Sequence, residues 1–157
     1  KFRSMYEDAD ESKHIEFTKA YLKNDLEEMN QLQDGPVEDG NQYKLNNDNR
    51  VTRMGRFLRE TSLDELPQLF NVLKGDMSMV GPRPDLPYVV ELYEPRHMQR
   101  LSTMQGLTGL WQVTGRNACS FENLIQADLD YINNQSLWLD IKIMLRTPLA
   151  ILNLKGK

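Results

Sequence analysis

Two adjacent carboxylates, Asp64 and Glu65, stand near the start of the stretch SLDELPQLFNVLKGDMSMVGPRP (residues 62–84), and Arg83 is held between two prolines at its end. Carboxylates in such a pair serve as nucleophile, as general base or as ligand to a hard cation. Neighbouring side chains on a helix point about 100° apart, so the two acids are free to do different jobs. Pro82 and Pro84 restrict the backbone on both sides of Arg83, which holds a cation at low entropic cost. The arrangement reads either as a rigid turn with an exposed arginine or as a preorganised phosphate clamp. Arg50, Arg53, Arg56 and Arg59 recur every third residue just ahead of the acids. They too read in two ways, as a solvated basic stripe on one drifting helix face or as phosphate ligands.

The elements that must position these groups follow from local chemistry. Ser62, with Glu65 three residues on and an apolar run behind it, is a capping-box pattern, and Gly75 is a C-terminal stop, which predicts a helix over 63–74. Leu66, Leu69, Phe70 and Leu73 then fall at helical spacing and are expected to face a core. Pro67 offers a different reading, in which the regular helix begins near the proline and the acids lie in the loop leading into it. In either case the acids also suit plain capping and dipole duties. Beyond Gly75, residues 76–80 read as a short buried strand entering the Gly81-Pro82-Arg83-Pro84 turn.

Three segments, LRETSLDELPQLFNVLKGDMSMVGPRP, GLTGLWQVTGRN and LDYINNQSLWLDIKIML, resemble the bacterial sugar transferase family, the monotopic phosphoglycosyl transferases that begin assembly of membrane-linked glycans. The resemblance runs in order from Lys1 into the C-terminal region and is weakest between about 7 and 44. It implies transfer of a sugar phosphate from a UDP-sugar to a polyprenyl phosphate, with Asp64 attacking the β-phosphate and UMP leaving. Glu65 would assist the acceptor phosphate or orient Asp64. Magnesium would sit on Asp64, alone or with Glu65, while Arg59, Arg83 and Lys1 would hold phosphoryl groups. The family also implies a membrane interface on the cytoplasmic face of the bacterial inner membrane, with self-association left open. A hydrophobic membrane segment and a short strand are expected ahead of Lys1-Phe2-Arg3-Ser4-Met5, so the chain reads as trimmed of both. The alternative is a non-catalytic module that binds anionic lipid or nucleotide.

Composition sets the bounds. At 157 residues, 39% hydrophobic and 27% charged, the chain suffices for one domain with a real core. A single cysteine, Cys119, excludes an internal disulfide framework and reads as a small packing residue in a reducing compartment. Residues 1–48 carry a net charge of −6 and residues 49–157 a net +2, which places phosphate binding in the second part. A net charge of −4 overall argues against nucleic acid. No run of about 18 apolar residues occurs to span a bilayer.

Around this centre, residues 10–33 predict an amphipathic helix with Ile15, Tyr21, Leu22, Leu26 and Met29 loosely at helical spacing among many charges. His14 on it reads as solvated or capping, not as a metal ligand. Residues 34–42 form a turn-rich connector. The segment 86–100 reads as partly helical, bent at Pro95, with Tyr88, Leu92 and Tyr93 packed and Arg96 and Arg100 exposed. Trp111 belongs to the core, to a nucleotide base or to the membrane surface, and the sequence does not separate these. A helix from Phe121 breaks at Asn133-Asn134. The tail helix carries Leu137, Trp138, Ile141, Met144 and Leu145 beside Lys142 and Arg146, a pattern of either a core helix or a membrane-interface helix. The expected architecture is α+β and mostly helical: a single compact domain over 1–157, with short strands, amphipathic membrane-interface helices and a helical insertion and linker at 6–43.

Overall fold

The computed structural model describes residues 1–33, 45, 48–114 and 120–153. Its helices are α1 (Ser12–Lys23), α2 (Leu26–Gln31), α3 (Arg53–Glu60), α4 (Gln68–Lys74), α5 (Pro87–Val90), α6 (Pro95–Met98), α7 (Leu110–Thr114), α8 (Phe121–Asn133) and α9 (Leu137–Asn153). Two strands, β1 (Ser78–Val80) and β2 (Gly106–Thr108), pair in parallel with Ser78 opposite Gly106 and Val80 opposite Thr108. The chain is thus α+β and mostly helical, as expected. The connector at 34–42, Cys119 and the Gly115-Arg116-Asn117 end of the glycine-rich motif lie outside the described residues.

Two apolar clusters hold the strand pair and the C-terminal helices. Val80 of β1, Tyr131 of α8 and Ile143 of α9 form one, with Leu139 and Met144 packed against it. Phe121, Leu124 and Ile125 form the other, which takes in Tyr21 of α1, Tyr93 and Trp111. Trp111 therefore belongs to the core, and its buried Nε1 has no hydrogen-bond partner among the described residues. The α9 helix uses two faces: Leu139, Ile143 and Met144 turn inward, while Trp138, Leu145 and Leu149 remain exposed. Met144 thus lies on the core face of the tail helix.

Several expectations need correction. The stretch 10–33 is two helices, because Asn24 adopts a left-handed conformation (φ 54°) that ends α1. Arg50 sits outside α3, paired with Asp48 at 2.7 Å, so only Arg53, Arg56 and Arg59 share that helix. His14 is half-buried instead of solvated, 2.6 Å from the Tyr88 hydroxyl, and burial followed by Arg50 holds its pKa down. Leu92 stays exposed. Arg100, expected at the surface, is 1% exposed and the largest of the fully buried side chains.

The N-terminal segment crosses α3 and is stitched to the strand of chain before it. Tyr6 N–H donates to the Arg50 carbonyl at 3.0 Å, and Thr52 N–H donates to the Ser4 carbonyl at 3.0 Å. The crossing is so close that a Cβ on Gly55 would lie 1.9 Å from the Ser4 carbonyl oxygen. Glycine is required there because any side chain would push the segment off the helix. Gly55→Ala should therefore destabilise the fold by about 1–3 kcal/mol, the usual range for overpacking. Urea unfolding checks this; an unchanged midpoint would mean that the crossing is looser than described.

Candidate active site

Pro67 decides how the acidic pair is presented. Its ring and missing N–H are incompatible with a regular helix running through it. Leu63–Glu65 instead form a 3-10 turn, and α4 begins only at Gln68. Hydrogen bonds of the tighter type carry the chain across the proline, Leu66 N–H to Leu63 O at 3.2 Å and Phe70 N–H to Pro67 O at 3.2 Å. The capping box is not formed: Ser62 is left-handed (φ 57°) and its side chain caps nothing. Gly75 does stop α4, in a left-handed conformation (φ 83°).

The apolar residues of this stretch point away from the core. Leu66, Leu69, Phe70 and Leu73 are all exposed, Leu73 by 83%. The side of α4 that turns inward carries Gln68, which is buried and donates to Glu65 Oε2 at 2.7 Å. The inner face of the helix thus serves the acidic pair, which leaves its leucines outside.

Glu65 is the point of convergence. Lys1 Nζ lies 3.0 Å from its Oε1, and the Arg83 guanidinium binds the same oxygen. Burial pushes the Glu65 pKa up, but Arg83 and Lys1 together outweigh burial and hold it below the ordinary carboxylate value. Asp64 is 6% exposed, and its carboxylate makes no hydrogen bond or ion pair among the described residues. Its backbone carbonyl accepts from Phe2 N–H at 2.9 Å, which places Lys1 beside the pair. Arg59 is not in contact with these groups; its Nε donates to Ser4 Oγ at 2.8 Å, on the same N-terminal segment. Four of the five expected residues, Lys1, Asp64, Glu65 and Arg83, therefore gather here, with Arg59 one step away.

The Pro-Arg-Pro turn is fixed from two sides. Gly81 N–H donates to the Thr108 carbonyl at 2.9 Å, and Gly106 N–H donates to the Pro82 carbonyl at 2.8 Å. From within, Arg100 donates to the Arg83 carbonyl at 2.9 Å and is paired with Asp128 and Asp85. Burial pushes the Asp128 carboxyl up to about 6 while Arg100 pulls against it, so the pair stays charged at neutral pH. Gln68, Arg100 and Asp128 were not read from the sequence as part of the site. Two left a signal. Gln68 follows Glu65 at the i, i+3 spacing of a local side-chain pair, and Asp128 lies on the apolar stripe of α8 with Leu124, Ile125 and Tyr131, where an acid requires a buried partner.

Comparison with known proteins fits this geometry. The sequence model of the family described as bacterial sugar transferase matches residues 1–154, and the chain belongs to that family. It is 44% identical over 97% of its length to the galactosyl transferase CpsE of Streptococcus agalactiae. Over 73% of its length it is 50% identical to the undecaprenyl-phosphate galactose phosphotransferase of Salmonella typhimurium. A third relative is the UDP-glucose:undecaprenyl-phosphate glucose-1-phosphate transferase of Caulobacter vibrioides, 49% identical over 67% of the chain. The chain spans 30%, 24% and 42% of those relatives respectively.

A lowered carboxylate pKa makes stability depend on pH in a definite sense. The contribution of the Glu65 cluster is complete above the ordinary value of 4.5 and is lost as pH falls through the lower folded-state value. The stability difference between the wild type and Glu65→Gln, measured by urea unfolding, should therefore be constant from neutral pH to about 5 and shrink below 4.5. A difference that stays flat into that acid range would show that Lys1 and Arg83 do not favour the ionised form.

Proposed function

We propose that this chain carries the catalytic centre of a phosphoglycosyl transferase, which moves a sugar phosphate from a UDP-sugar to a polyprenyl phosphate at the membrane. The observation that carries the reading is the division of labour in the acidic pair. Glu65 is neutralised by Lys1 and Arg83, whereas the buried Asp64 beside it has no partner among the described residues. The names of the Salmonella and Caulobacter relatives supply the class of donor and acceptor.

In the first step an Asp64 oxygen forms a bond to the β-phosphorus of the UDP-sugar. The bond from that phosphorus to the oxygen bridging to the α-phosphate breaks, and UMP leaves with the electron pair. A carboxylate needs no deprotonation at neutral pH, which suits it to this role despite its weak nucleophilicity. In the second step a polyprenyl phosphate oxygen attacks the same phosphorus and frees Asp64. Lys1 and Arg83, held by Glu65 until substrate arrives, turn to the phosphoryl oxygens and offset the charge of two anions meeting. Arg59, held on Ser4 from α3, would have to turn from that hydroxyl to join them.

Among the described residues there is no cluster of three or more metal-ligating side chains. Magnesium typically takes one or two carboxylates and completes its shell with substrate phosphates and water, and the buried Asp64, unpartnered among the described residues, is a donor of that kind. Asp64 is the carboxylate that would hold it, with Glu65 next to it. When bound, magnesium would offset charge on the diphosphate.

Membrane attachment has its own support. No helix among the described residues is long and apolar enough to cross a membrane. The exposed stripe of α9, with Trp138 66% exposed and Lys142 Nζ 5.5 Å from its ring centroid, has the composition of an interfacial helix. Leu69, Phe70 and Leu73 of α4 add apolar surface close to the acidic pair. The membrane contact would lie on the cytoplasmic face, where UDP-sugars are made. Each large residue withdrawn from water there contributes about 1.5–3 kcal/mol. Trp138→Ala with Leu145→Ala should therefore weaken co-sedimentation with phosphatidylglycerol vesicles by about tenfold or more; undiminished binding would remove α9 from the interface.

The activity is tested by UMP release from UDP-glucose and UDP-galactose in detergent with undecaprenyl phosphate. Release should require magnesium, disappear in Asp64→Asn with the melting temperature retained, and return on adding excess magnesium after chelation. An active Asp64→Asn variant would remove the proposed role of Asp64.

A further inference from the structure

We propose that Arg100 is a positioning residue for Arg83: its buried guanidinium sets where the Pro-Arg-Pro turn presents that cation. The inference rests on the proposed role of Arg83 as a phosphate ligand. Arg100 touches no substrate group. Its three nitrogens are divided between the turn and the core. Nη2 donates to the Arg83 carbonyl at 2.9 Å and lies 2.7 Å from Asp128 Oδ2. Nε donates to the same Asp128 oxygen at 2.9 Å. Nη1 donates to Asp85 Oδ2, just past the turn, and to the Tyr93 hydroxyl at 2.6 Å.

This arrangement answers a problem the sequence creates. Pro82 and Pro84 lack N–H groups, so within the turn only Arg83 keeps a backbone donor. The carbonyls remain. That of Pro82 is taken by Gly106 and that of Arg83 by Arg100, which is itself bolted to α8 through Asp128. A buried pair of this kind contributes little net stability compared with an apolar core of the same shape, so its use is more readily sought in placement. Lysine would keep the charge opposite Asp128 but, as a compact ammonium, does not reproduce a planar fork that serves the turn, Asp85, Tyr93 and Asp128 together.

The test is a double-mutant cycle on the full chain in detergent: wild type, Arg100→Lys, Arg83→Ala and the double variant. UMP release, UDP-sugar binding by calorimetry and melting temperature are measured for each. With Arg83 present, Arg100→Lys should lower kcat/KM by about 10²-fold, the scale set by misplacing a group by about 1 Å. With Arg83 already alanine it should cost little more, because the group it positions is gone. Equal losses in both backgrounds would overturn the inference, since they report general damage to the fold. Should Arg100→Lys fail to fold, Tyr93→Phe removes one acceptor without changing charge and should show the same dependence on Arg83 at smaller amplitude. A wild type that neither binds UDP-sugar nor releases UMP removes the proposed function and this inference with it; an active wild type with additive losses removes the inference alone.

Discussion

The attraction of Lys1 and Arg83 for one carboxylate oxygen of Glu65 ties together three segments that are far apart in the chain. It joins the N-terminal strand of chain, the 3-10 turn after α3 and the Pro-Arg-Pro turn after β1. The formal charges of Lys1, Arg83 and Glu65 sum to plus one and the neighbouring Asp64 brings the site to zero, so the cluster holds together without substrate. Much of the surrounding architecture keeps these three segments in register. Gly55 lets the N-terminal segment lie on α3, and the Phe2 hydrogen bond to Asp64 fixes Lys1 at the right end of it. The β1–β2 pair and Arg100 fix the other cation.

The same arrangement explains why this small domain turns apolar residues outward. Gln68 is buried against the acidic turn and the Arg100–Asp128 pair is buried behind the Pro-Arg-Pro turn, so polar groups occupy positions that leucines fill in an ordinary core. The leucines and phenylalanine of α4 are left on the surface near the site, as are the outer residues of α9. On the proposed function that surface meets the membrane, whereas on a freely dissolved protein it would be an aggregation hazard.

How far the sequence could be read depended on whether a property was local. Gly75 as a stop, the strand before the Pro-Arg-Pro turn, the break at Asn133-Asn134 and the helix from Phe121 all follow from residue chemistry within a few positions, and the structure has each of them. Periodicity failed at α4 because spacing reports which residues share a face and not which way that face turns. The capping-box pattern at Ser62 lost to Pro67, whose demands on the backbone are stronger than a cap. Arg100 was misread because nothing in its neighbours Met98, Gln99, Leu101 and Ser102 marks it as buried. Its partners Asp85 and Asp128 lie 15 and 28 residues away. In the site, the residues Lys1, Glu65 and Arg83 were legible through family resemblance, while the choice of Glu65 as the one they pair with required the fold.

Intact-mass spectrometry of the chain incubated with UDP-glucose or UDP-galactose and magnesium, but without lipid acceptor, tests most directly whether Asp64 is the attacking group. The expected result is a shift of one hexose phosphate, present in the wild type and absent in Asp64→Asn. An unmodified mass throughout, with UMP appearing as soon as polyprenyl phosphate is added, would contradict the two-step mechanism and point to direct transfer between bound substrates.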